Sequence, residues 1–156
     1  MSDLSNTIAN GFSASFQEFA SRVHTLAEPL SEEQFWRKPY SYGNSFGHLV
    51  LHLTGNLNYY IGAQIAGTGY VRDRAREFTD SQPPAKAEAL QRFDEAIAMV
   101  VRTLAEQTAE TWSQEYEAIG AAMCPTRFSI LLRCSAHLFH HIGQMIYLTK
   151  EFAKES

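Results

Sequence analysis

The sequence predicts an all-α fold, a four-helix bundle with long connecting loops, formed as one domain over residues 1–156. Three observations predict it. Apolar residues recur at steps of three and four in four long stretches, with Pro29, Pro83-Pro84 and Pro125 falling between them. No stretch shows the strict alternation of a half-buried strand. Two of the four stretches carry histidines four residues apart on a largely apolar stripe, an arrangement suited to a metal site inside a bundle. At 156 residues and 45% hydrophobic content the chain can bury one proper core and has little room for a second.

The first helix is marked by Ile8, Phe12, Phe16, Phe19, Val23 and Leu26 and ends at Pro29. Ser31-Glu32-Glu33-Gln34 has the form of a capping box and opens a short turn carrying Phe35 and Trp36. After Pro39 and Gly43, Asn44 or Ser45 caps a second helix whose apolar side holds Phe46, Leu49, Leu53, Leu57, Tyr60 and Ile61. That helix is expected to run to about Ala66, where Gly67 and Gly69 stop it. A loop of alternating charge follows from Tyr70 to Phe78. Leu90, Phe93, Ile97, Val101 and Leu104 then mark a third helix to about Glu106. Residues 108–125 are poorly periodic, and Trp112 and Tyr116 are expected to pack a loop or a short extended piece over the bundle. Thr126, after Pro125, resets the chain for one long last helix from about Phe128 to Phe152.

Composition excludes several classes of function. A formal net charge of −4 with no Lys/Arg-rich run does not supply the basic surface that nucleic acid requires. No segment is apolar for long enough to span a bilayer, and the first residues carry no basic region followed by an apolar core, so a cytoplasmic protein is expected. Cys124 and Cys134 are the only cysteines and suit a reducing compartment.

The chemistry lies in the histidines. His137 and His141 stand one above the other on the last helix, spaced to grip one cation, and His48 and His52 repeat the spacing on the second. Neutral imidazole suits zinc, nickel and similar divalent ions. Three protein ligands with an open position are the usual catalytic arrangement. His137 and His141 supply two, and the third is expected from His48 or His52, which lie only about 40° apart around their helix and are not separated by periodicity. His140 points about 60° to the side of His137 and reads as an outer or surface residue. His24, with no partner near it in sequence, reads as a solvated side chain. Gln144 and Asn56 sit on the histidine faces of their helices as pocket or supporting groups. No HExxH and no Glu-x-x-His is present, which disfavours a metalloprotease and a carboxylate-bridged di-iron centre. Gly43-Asn44-Ser45-Phe46-Gly47 has the form of a nucleophile elbow but lacks the preceding strand, so Ser45 reads as a helix cap. No carboxylate stands at a spacing that marks a general base, and Cys134 reads as a buried, inert thiol.

Asn44-Ser45-Phe46-Gly47-His48-Leu49-Val50-Leu51-His52-Leu53, followed by His137-x-x-x-His141-x-Gly143-Gln144, resembles the DinB/YfiT-like superfamily of metal-binding four-helix bundles. The charged stretch from Arg72 to Phe78 looks like a loop of one branch of that superfamily, so the resemblance covers nearly the whole chain. It implies that the metal ligands are His52, His137 and His141. His48, where such proteins commonly carry an apolar or aromatic residue, is left to line the site or to serve as an alternative ligand. Similar proteins include bacillithiol S-transferases, a mycothiol-dependent maleylpyruvate isomerase and metal-dependent hydrolases. The resemblance therefore implies a divalent metal, zinc or nickel, that activates a low-molecular-weight thiol or water for attack on a small electrophile. It also implies a homodimer, for which Phe12, Phe16 and Phe19 would supply apolar surface. The competing expectation is a non-catalytic bundle with a structural or vacant metal site, closed by a fourth ligand such as His48 or Cys134, or a protein that binds a small ligand without turnover.

Overall fold

A computed structural model describes residues 3–155. Four long helices make the bundle: α1 (Asp3–Ala27), α3 (Phe46–Leu57), α5 (Lys86–Ala105) and α7 (Arg127–Phe152). Short helices lie in the connections, α2 (Glu32–Trp36), α4 (Arg76–Thr79) and α6 (Ala109–Ser113), and a 3-10 turn (Ala153–Glu155) closes the chain. Helix α1 packs against α5 and α7, and α3 packs against the same two, so α1 and α3 face each other across the core. Among the described residues there is no strand, only an isolated antiparallel bridge between Glu115 and Thr126. No helix is long and apolar enough to cross a membrane among those residues.

Each long helix delivers one apolar stripe. Phe16 and Val23, Leu49 and Leu53, Phe93 and Val100, and Leu131 and Leu138 are all at most 2% exposed and meet in one core. Side chains of this size contribute about 1.5–3 kcal/mol each when fully buried. The helix starts follow the sequence chemistry. Ser31 and Gln34 form a reciprocal capping box on α2, Thr126 and Ser129 do the same on α7, and Ser45 Oγ accepts from His48 N at the start of α3. The turn that ends α1 is tied from a distance: Lys86 Nζ donates to Ala27 O at 2.7 Å, which also accepts from Leu30 N, and to Leu30 O at 2.6 Å, clasping the end of α1 to the start of α5.

The GxSxG stretch has a structural explanation. Gly43 takes a positive φ of 77° in the turn before α3. Gly47 leaves room for α2, because a Cβ there would stand 2.5 Å from the Trp36 ring. Ser45 is the cap between them.

Three expectations are corrected. The second helix does not continue as an α-helix to Ala66: from Asn58 to Ala63 it widens into a π-helical turn. Residues 108–125 open with a short helix, α6, capped by Thr108 and carrying Trp112, before the chain extends at Glu115; Trp112 and Tyr116 are buried against the bundle as expected, with Tyr116 Oη donating to Tyr60 O at 2.8 Å. His24 is exposed as expected and pairs with Asp94 of α5 at 2.7 Å, a partner distant in sequence. Of the three phenylalanines expected on the surface of α1, Phe16 is fully buried in the core, while Phe12 and Phe19 are half-buried against Phe128 and Phe139 of α7.

Candidate metal centre

His52 leaves α3 one turn before Asn56, and His137 and His141 leave the facing side of α7. Where these helices cross, the three rings converge. His137 Nε2 lies 3.3 Å from His52 Nε2 and 3.0 Å from His141 Nε2. One ligand atom from each residue falls within 4.8 Å of the others, the only such cluster of histidine, cysteine and acidic residues among those described. The rings meet edge to face, at interplanar angles of 70°, 82° and 89°. Edge-to-face packing lets three nitrogens approach one point without the rings colliding.

The outer nitrogens decide what the inner ones present. Glu77, only 7% exposed, accepts from His52 Nδ1 at 2.8 Å. Arg72 donates to both oxygens of that carboxylate, Nε to Oε1 at 2.6 Å and a terminal nitrogen to Oε2 at 2.9 Å. The same terminal nitrogen also lies 3.3 Å from His52 Nδ1, but the shorter contact of that Nδ1, 2.8 Å to a carboxylate oxygen that accepts, favours a proton on it. The Gln144 carbonyl accepts from His141 Nδ1 at 2.7 Å. With their Nδ1 atoms carrying protons outward, His52 and His141 turn Nε2 lone pairs inward. Phe78 covers the His52 ring, centroid to centroid 5.0 Å.

His137 is different. Its Nδ1 is buried without a partner among the described residues, facing a narrow void lined by Asn56, Tyr60, Arg133 and Cys134. Burial first, then the neighbouring His141 and His52, hold its pKa down to about 3, so its imidazole is neutral at physiological pH. Burial also lowers the pKa of His141, against the opposing hydrogen bond from Gln144.

The family model described as the DinB superfamily matches residues 15–145, a span that runs from within α1 into α7 and contains all three histidines. The chain belongs to the DinB superfamily. No curated relative matches it. Membership of the DinB superfamily and the three-histidine cluster together fit a metal-binding protein. The donor set itself can be tested against a metal. A tetrahedral ion bound to imidazole at about 2.0–2.1 Å sets its ligand nitrogens about 3.3 Å apart, and the observed separations from His137 are 3.3 Å and 3.0 Å. Lone pairs brought this close without a shared proton or cation would repel, so the arrangement fits a divalent ion.

Other residues singled out in the sequence take different places. His48 stays outside the cluster: its Nδ1 pairs with Ser45 Oγ at 2.7 Å and its ring packs edge-on against Trp36. Asn56 is buried and lines the void beside His137. His140 is exposed and packs edge-on against His141. Cys134 is buried, and burial raises its thiol pKa to about 12, which leaves it protonated and inert. Reading the sequence missed Glu77 and Arg72. The only signals available were a carboxylate beside Phe78 in a charged loop and a glycine, Gly55, in the middle of an apolar helix.

Proposed function

We propose that this DinB-superfamily protein is a metal-dependent enzyme in which His52, His137 and His141 hold a divalent ion, zinc or nickel. Its reaction transfers a low-molecular-weight thiol, or water, to a small electrophile. The observation that carries this reading is the convergence of three imidazole nitrogens whose neighbours, Glu77 and Gln144, direct two of the lone pairs toward the shared centre. A divalent ion bound there supplies Lewis acidity, lowering the pKa of a bound thiol or water so that a nucleophile exists near neutral pH. The chain's own contribution is to orient and to shield. His52 is held by Glu77 and Phe78, His141 by Gln144, and His137 is kept neutral by burial. A closed structural site would need a fourth ligand, yet His48 is engaged with Ser45, and Cys134 remains outside the cluster. That favours three ligands with open positions, and hence turnover.

The setting proposed is cytoplasmic, which the two free, buried cysteines support. The assembly proposed is a homodimer. Phe128, Leu132, Phe139 and Tyr147 are exposed within about 100° of arc on the flank of α7 turned away from the histidines, and Phe12 and Phe19 extend that flank onto α1.

The test is elemental analysis of untagged protein purified without chelator, beside a His52→Ala/His137→Ala/His141→Ala variant. Near-stoichiometric metal in the parent and none in the folded variant is expected, followed by consumption of small electrophiles in a screen with thiols. A parent that is metal-free and takes up neither zinc nor nickel would overturn the proposal.

A further inference from the structure

The segment between the π-helical turn and α5 lies outside the four-helix core, yet it sends one carboxylate deep against a histidine. Glu77 is 7% exposed and Arg72's side chain 9%, a degree of burial rare for charged groups unless they are paired. The bundle is shaped to admit them. At Gly55, one turn after His52, an added Cβ would run into Glu77 Oε1, so α3 carries a glycine where the carboxylate must enter. All the polar neighbours of this carboxylate given above are donors: Arg72 from one side and His52 Nδ1 from the other.

Burying a charged pair at the edge of a bundle is a poor way to gain stability, since desolvation offsets most of the attraction. Two guanidinium nitrogens spent on one carboxylate do fix its position to within a hydrogen bond, and through it the ring of His52. We infer that Glu77, locked by Arg72, is a positioning residue for the metal centre: its ionised carboxylate holds His52 in the Nδ1–H tautomer and the ring angle that present Nε2 to the divalent ion. This rests on the metal-dependent reading above. Outer partners of ligand histidines are typically worth 10- to 100-fold in metal affinity.

Charge and shape can be separated by two substitutions. Glu77→Gln keeps the volume and removes the charge, and in either orientation of its amide it turns an NH₂ toward Arg72 or His52. Glu77→Asp keeps the charge and shortens the reach. Zinc affinity, measured by competition with a chromophoric chelator, is expected to fall in the order parent, Glu77→Asp, Glu77→Gln, with the glutamine variant weaker by 10- to 100-fold. If Glu77 merely fills space, the order of the two variants reverses; that reversal, or equal affinities in all three proteins, would overturn the inference. A second readout needs no variant. Long-range proton–nitrogen NMR spectra of the metal-free parent are expected to show His52 protonated at Nδ1, and a proton at Nε2 instead would refute the role. His52→Ala serves as the control on the underlying reading. If it binds zinc as tightly as the parent, the metal-centre proposal itself fails; if it loses zinc while Glu77→Gln does not, only the positioning role fails.

Discussion

Replacing Gly55 with alanine sets two physical effects against each other. In the interior of α3, alanine is favoured over glycine by about 1 kcal/mol on helix propensity alone, so a reading confined to the helix predicts a more stable protein. The packing predicts the opposite. The new methyl would occupy the place of Glu77 Oε1. A flexible side chain at the surface would swing aside at little cost, but this one is held by Arg72 at 2.6 Å and 2.9 Å and by His52 at 2.8 Å. Displacing it leaves Arg72 buried without its partner, a change that costs about 3–5 kcal/mol where no relaxation occurs. After the propensity gain and partial escape of the displaced groups to solvent, a net loss of about 2 kcal/mol remains. For a chain of this length that corresponds to a fall in Tm of about 4–8 °C. Thermal unfolding of metal-free protein followed by circular dichroism measures it, and zinc uptake by the same variant reports on His52. An unchanged or raised Tm would refute the claim that Gly55 exists to admit Glu77.

Three further outcomes are expected. Lys86→Met keeps the aliphatic stem but strips Leu30 O of its Lys86 donor and leaves Ala27 O with the backbone N–H of Leu30, and a loss of about 1–3 kcal/mol is expected in urea unfolding; a change below 0.5 kcal/mol, roughly the scatter of ordinary surface substitutions, would show the clasp to be dispensable. In metal-free protein the depressed pKa of His137 means that the unfolded chain takes up its proton first as the pH falls. Stability should therefore drop as pH decreases from the ordinary histidine value of 6.5 toward about 3, and His137→Gln should flatten that slope in a series of denaturant titrations. Leu132→Glu combined with Phe139→Glu, on the exposed flank of α7, should convert a dimer to a monomer by light scattering with helicity unchanged; a parent already monomeric at working concentration would end the dimer proposal.

How much of this was legible in the sequence depends on how far each feature reaches along the chain. His137 and His141 lie on one helix, so their shared face follows from 3.6-residue periodicity alone. The caps at Ser31, Ser45 and Thr126 were legible for the same reason: they are contacts of a residue with another three positions on. The choice between His48 and His52 was not local. The two lie on nearly the same face of α3, and what separates them in space is that Ser45 takes Nδ1 of one and Glu77 that of the other. Glu77 reaches His52 across 25 positions and Lys86 reaches Ala27 across 59, and no periodicity encodes such pairings. Tyr60 shows a further limit. It was read correctly as an apolar position on the second helix, but not as a ring with Arg72 and Arg133 both within 6 Å of its centroid, because that placement depends on a backbone widening six residues long.

That widening bears on which changes in chain length this helix accepts. A π turn accommodates an additional residue within an otherwise α-helical run, so the segment from Asn58 to Ala63 behaves as an insertion already absorbed. Deleting one residue there would let the hydrogen bonding revert to the α pattern with the segment beyond kept close to its present orientation relative to His52, because a tighter turn with one residue fewer rotates the chain by about the same amount. The residues inside the turn would shift, Tyr60 beside Arg72 and Arg133 among them, while the segment that brings Glu77 back to the bundle would leave the helix in nearly the same direction. Loop Gly67–Gly69 can change length without moving His52 or Tyr60; a deletion between Asn58 and Ala63 moves Tyr60 and leaves His52 in place.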